Sequence, residues 1–256
     1  MRMIYLIKLV FFLYASQFVM APIVLYFYNK QSANPGFTTF DLLNPPLQLP
    51  PSYMQSLSTL EALGFQPVAH LFAGALATNL RVVLTLYVNQ MEREIATVVH
   101  MLGEVPPLTR VPRTYTEFCT QFDDGHEVNT SNSNEPPLFA IAPEKQIFHL
   151  PHLTNLHHLY EVHRALTGPR LGANKRLARP GEEVDELIDG MKQDLAREAA
   201  FGRMALDPSG EWYRLTMRGA IHNTLMLIWP IGTLRRILQR RRGVRLAEVV
   251  FRNRPL

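Results

Sequence analysis

Between residues 149 and 163 the chain carries five histidines, His149, His152, His157, His158 and His163. Imidazole is the side chain best suited to binding zinc or moving a proton near neutral pH. A zinc site on a helix draws its ligands from one face, typically at i and i+4, and the good pair of that kind is His157 with Glu161. His163 falls five and six residues beyond His158 and His157, off that face, while His149 and His152 straddle Pro151 at a strand end. Helix capping or packing at a sheet edge accounts for the pattern equally well, so no metal and no cofactor is assigned. A second group is acidic: Glu117, Asp123, Asp124 and Glu127 surround a predicted hairpin. Paired carboxylates can do general acid–base work, but acids at a solvated hairpin tip keep ordinary pKa values. Cys119 is the single cysteine, so it forms no disulfide within the chain, and it lies in an alternating segment without an evident base. The sequence has no GxSxG, P-loop or GxGxxG motif. Catalytic residues therefore stay unassigned.

The third group is basic. Lys and Arg number 26 against 22 Asp and Glu, a formal charge of +4. Eight arginines lie between Ile231 and Leu256 with one acid, Glu248, so the preceding 230 residues are mildly acidic. Trp229 and then Arg235, Arg236, Arg240, Arg241, Arg242 and Arg245 follow the apolar run GAIHNTLMLIWPIGTL (219–234). Apolar-then-basic order suits an interfacial helix with Trp229 at headgroup depth and the arginines on phosphates. A core helix followed by a solvated basic helix is the alternative. The tail is read as a membrane-surface site for anionic lipid headgroups, and no protein partner is specified.

These groups need elements to place them. Residues 9–28 (LVFFLYASQFVMAPIVLYFY) are uncharged and, at 1.5 Å per residue, match the roughly 30 Å hydrocarbon core, so they are expected to form an uncleaved signal-anchor, a transmembrane helix. The expected localisation is a single-pass membrane protein, with residues 219–234 as a possible second span. Arg2 and Lys8 favour a cytoplasmic N-terminus while the arginine cluster prefers the cytoplasmic leaflet, so orientation stays open. The expected domains are a membrane anchor (1–30), a Pro-rich tether (31–52), an α+β domain (53–166), a helix plus β-hairpin (182–218) and an apolar then Arg-rich helical tail (219–256).

Within 53–166, Leu57, Leu60 and Leu63 recur at helical spacing before Gly64. Strands are predicted at 80–89, 94–102, 113–122, 126–131 and 145–150, with Asp123-Asp124-Gly125 turning one hairpin, and a helix at 153–166. Consecutive strands joined by short polar turns predict an antiparallel sheet packed by helices, an α+β fold. Glu182–Ala200 reads as another helix, and Asp207-Pro208-Ser209-Gly210 turns a short hairpin.

The segment GRMALDPSGEWYRLTMRGA, preceded by that helix, resembles the wing and final helix of winged-helix DNA-binding proteins, through Tyr213, Leu215, Thr216 and Gly219. The resemblance covers about 40 residues and implies that the preceding helix would read DNA. That helix carries Glu182, Glu183, Asp185, Glu186, Asp189, Asp194 and Glu198 against Lys192 and Arg197, and phosphates would repel it.

The function expected from sequence is a membrane-anchored, non-catalytic binding or envelope-organising domain. One alternative is a membrane-associated hydrolase or transferase using His or carboxylate chemistry, which requires some of His149, His152, His157 and Glu161 to converge in a pocket. The other is nucleic-acid binding through the arginine tail.

Overall fold

Leu80–Asn89 (LRVVLTLYVN) is rich in β-branched and apolar residues, and it lies at the centre of one large sheet. The computed structural model describes residues 2–105, 108–134, 141–168, 174–227 and 230–252. In chain order the elements are α1 (Arg2–Tyr28), β1 (Lys30–Ser32), β2 (Thr38–Thr39), α2 (Pro51–Ala62), β3 (Gln66–Ala77), β4 (Leu80–Asn89), β5 (Glu94–Val105), β6 (Leu108–Phe122), β7 (Glu127–Ser131), β8 (Lys145–His149), α3 (Leu156–Thr167), β9 (Lys175–Arg176), α4 (Glu183–Ala200), β10 (Met204–Leu206), β11 (Trp212–Leu215), α5 (Met217–Leu227) and α6 (Ile231–Arg252). The chain is α+β, and its strands run in the order β10-β11-β1-β3-β4-β5-β6-β7-β8, with β2 added to β3 and β9 to β6.

The sheet is mixed, which corrects the expectation of a purely antiparallel one. β7 and β8 are parallel. A tight turn cannot join parallel neighbours; they need a crossover of about a dozen residues, and residues 132–144 supply that length. At the β6–β7 turn Gly125 takes φ +82°, a conformation that glycine adopts without steric cost.

Alternation sends two sets of side chains to opposite faces of the sheet. On one face, Val83, Tyr87, Ala96, Val98 and Phe118 pack against Tyr53, Leu57 and Leu60 of α2, Leu159 and Tyr160 of α3, and Ala247 of α6. On the other, Leu71, Val82, Leu84 and Val99 meet Val184 and Leu187 of α4. A third cluster, Leu195, Met204, Leu215 and Ala220, joins α4, the β10–β11 hairpin and α5.

The expected membrane span is corrected. Residues 9–28 do lie within a helix, α1, but among the described residues no helix is long and apolar enough to cross a membrane. Ser16, Gln17 and Pro22 interrupt the apolar run. One side of α1 is committed to protein: Pro22 is buried, and Leu25 packs against the third cluster. Its outer side exposes Phe12, Val19, Met20, Phe27 and Tyr28. Asn29 closes the helix by donating its N–H to the Leu25 carbonyl at 2.9 Å, and the chain enters β1, which pairs with both β11 and β3. The transmembrane and signal-anchor reading, and the single-pass localisation built on it, therefore do not hold for this helix. Nor is 219–234 a second span. It is divided between α5 and α6, which meet so closely at Gly232 that a Cβ there would lie 2.7 Å from the Leu227 and Met226 carbonyl oxygens.

Within residues 31–52, β1 and β2 join the sheet and Leu47 is buried in the main core. The helix–hairpin–helix outline of α4, β10, β11 and α5 is present, but β11 pairs with β1. The hairpin is the edge of the main sheet rather than a free wing.

Candidate functional site

Helix α6 places the arginines. Gly232, Gly243 and Ala247 are its buried positions, and Leu246, Val250 and Phe251 pack on the main core. The helix comes close to the end of β8 at Gly243, where a Cβ would lie 2.7 Å from Leu150 Cδ2 and 3.0 Å from the His149 carbonyl oxygen. With that row inward, a period of 3.6 residues turns Leu234, Ile237, Leu238, Arg241 and Arg245 outward, flanked by Arg240 and Arg242. Leu234, Ile237 and Leu238 are 55, 43 and 54% exposed. Arg236, Arg240, Arg241, Arg242 and Arg245 are exposed as well, and none pairs with an acid among the described residues. Arg235 is half-buried and donates from Nη1 to Met226 Sδ at 2.9 Å, while Arg236 Nε donates to the Gly232 carbonyl at 3.3 Å. Trp229 lies outside the described residues.

The histidines do not assemble. Among the described residues no group of three or more His, Cys, Asp or Glu could hold a metal ion. Asn155 caps α3, its Oδ1 accepting from the backbone N–H of His157 at 2.9 Å and of His158 at 3.4 Å. The rings of those two histidines belong to exposed residues, and His158 makes an edge contact with Phe251 of α6 at 5.3 Å between centroids. His163 is fully buried between Thr120 and Thr130. His149 and His152 sit beneath α6, and all four of their ring nitrogens are buried without a hydrogen-bond partner. Burial lowers the pKa of both, with Arg235 adding to the effect at His149 and Arg240 at His152.

The acidic group divides in two. Asp123 and Asp124 shape the turn, the former accepting from the backbone and side-chain nitrogens of Asn174, the latter from the His126 N–H. Glu117 and Glu127 instead stand on the face of β6 and β7 that looks towards α4. There Lys145 lies 3.7 Å from Glu127 and 3.6 Å from Asp194, and Asn129 Nδ2 donates to Glu127 at 2.7 Å. Burial, reinforced by the Glu127 charge and opposed by Lys145, raises the Glu117 carboxyl to about 7. Cys119 shares this face. Burial first, then Glu127 and Glu117, push its thiol well above the ordinary range, so it is held as a thiol and not as a nucleophilic thiolate. Sequence spacing found the two glutamates but missed Lys145, because the β7–β8 register that brings it opposite Glu127 is a long-range property.

Neither a protein family, a curated protein nor a solved structure was found to match this chain.

Proposed function

We propose that the chain is a non-catalytic binding domain that docks on anionic lipid headgroups through the outer face of α6. The supporting observation is the mixture on that face: arginines without acidic partners alternate with exposed Leu234, Ile237 and Leu238. Guanidinium groups recognise phosphate by charge and by their fork of donors. A nucleic-acid backbone would use the arginines but leave the three aliphatic side chains idle. A headgroup layer above hydrocarbon uses both, each basic group near an anionic surface contributing roughly 1 kcal/mol. The contact is peripheral and calls on no spanning helix. Close packing at Gly243 supports the reading further, since it holds α6 against β8 and leaves the arginines as a fixed surface.

The enzymatic alternative asks for some of His149, His152, His157 and Glu161 to converge; among the described residues no group of three or more His, Cys, Asp or Glu could hold a metal ion, so it draws no support from a metal site. Flotation of the purified chain with phosphatidylserine-containing vesicles, with phosphatidylcholine vesicles as control, tests the proposal. Binding to the first and not the second is expected. Retention of DNA in filter binding without flotation would replace lipid by nucleic acid as the partner.

A further inference from the structure

Helix α1 keeps one side for protein and leaves the other bare. Its inner side rests on α5 and β11, with Pro22 buried and Leu25 in the third cluster. Tyr5, Phe12 and Val19 follow one another at seven-residue spacing, and Ile23 and Phe27 continue the row in steps of four, so all five share one side of the helix. They are 37 to 70% exposed. At 1.5 Å per residue the row runs for about 33 Å. Scattered apolar residues are ordinary on a protein surface, but a continuous bare strip marks a contact.

The strip does not stop at α1. Beside it α5 exposes Ile221 and Leu227, and α5 runs into α6 through the close packing at Gly232, beyond which Leu234, Ile237 and Leu238 are exposed in turn. The charge on these helices is almost all of one sign. Of the chain's 22 acids only Glu248 belongs to α1, α5 or α6, and against it stand Arg2, Lys8, Arg218 and the arginines of α6. No acid occurs between residues 1 and 40.

That combination selects the occupant. A second copy of the chain would bring the same positive charge against itself. A nucleic acid would leave the apolar row idle. An anionic bilayer uses both features, its phosphates meeting the basic groups and its acyl chains the apolar row. Tyr26 and Tyr28, beside the end of the row, are exposed rings of the kind that settle at headgroup level. We propose that α1 lies along the surface of the anionic bilayer that α6 engages, with its row from Tyr5 to Phe27 sunk among the outer acyl chains. The helix lies flat and does not cross, because α5 and β11 hold its other side. This extension rests on the lipid reading of α6 and widens the contact to three helices.

The test uses the full chain with Cys119→Ala and one new cysteine, Val19→Cys, Leu238→Cys or Met91→Cys, carrying a nitrobenzoxadiazole fluorophore. Met91, at the β4–β5 turn, is 94% exposed and serves as the control. With phosphatidylserine-containing vesicles, the labels on α1 and α6 are expected to shift to the blue and to be quenched by lipid bearing a nitroxide on its acyl chain. The control label should do neither. A response on α6 without one on α1 overturns the inference and leaves α6 docking intact, whereas silence at both with no flotation removes the lipid reading as well. A label-free variant, Phe12→Ser/Val19→Ser/Phe27→Ser, alters only exposed positions. It is expected to partition about a hundredfold more weakly, allowing for incomplete immersion of the three side chains. That loss should persist at high salt, which screens the arginines but not the acyl contact. Unchanged partitioning of this variant, or dimerisation of the wild type without lipid that the variant abolishes, would equally overturn the proposal.

Discussion

Thr130 Oγ1 lies 2.8 Å from His163 Nδ1, and the other ring nitrogen lies 2.9 Å from Thr120 Oγ1. A neutral imidazole has one donor and one acceptor, and two hydroxyls that can play either part satisfy both. Helix α3 is thereby pinned to β6 and β7 by a polar joint inside the core.

Burial, with Lys175 adding repulsion, lowers the His163 pKa from 6.5 to about 3. A depressed histidine leaves the unfolded chain binding a proton that the fold refuses, so stability is lost as pH falls from 6.5 towards 3. Urea unfolding of the wild type and His163→Asn at pH 7 and pH 4 measures this. The wild type is expected to lose about 3 kcal/mol more than the variant over that interval. Equal losses would show that the ring titrates freely.

Glu117 carries the opposite sign. Its carboxyl is raised from 4.5 to about 7, so its contribution to stability is fully present below pH 4.5 and disappears as pH rises through 7. Glu117→Gln is expected to stabilise the chain by about 1–2 kcal/mol at pH 8 and by nothing measurable at pH 4, the residual contact of the side chain with water keeping the effect modest. Thermal unfolding at the two pH values checks it, and a variant destabilised equally at both would place Glu117 in a purely structural role.

A Cβ on Gly219 would lie 1.9 Å from the Arg203 carbonyl oxygen and 2.8 Å from its carbon. Both are backbone atoms, fixed by the hairpin and by the Thr216 N–H bond to the same oxygen at 3.0 Å. Gly219→Ala is expected to cost about 3 kcal/mol by forcing α5 away from β10. Calorimetry showing an unchanged Tm would mean that α5 does not sit against the hairpin as described.

Local pattern made much of this fold legible. Leu80–Asn89 declared a strand by its β-branched run, and the alternation through Thr114–Phe122 placed Glu117 and Cys119 together on one face. The Asp-Asp-Gly turn marked the β6–β7 hairpin. β3 escaped because Gln66–Ala77 holds Pro67, Gly74 and four alanines, and its register slips between Pro67 and Ala69 and again between Ala73 and Ala77. Its place in the sheet comes from β4, not from its own propensity. The N-terminal apolar run misled for a related reason. Length and lack of charge describe a helix that avoids water, but they do not distinguish lipid from the α5 and β11 surface on which α1 rests.

The arginine face of α6 is tested most directly by partitioning onto vesicles containing about 30% phosphatidylserine, comparing the wild type with R240E/R241E/R242E. Those side chains are exposed, so the variant should keep its unfolding midpoint. At roughly 1 kcal/mol for each basic group, loss of three predicts about a hundredfold weaker partitioning, with the wild-type binding itself falling as salt rises. Wild-type chain that ignores these vesicles, or a variant that partitions as well as the wild type, would contradict the account.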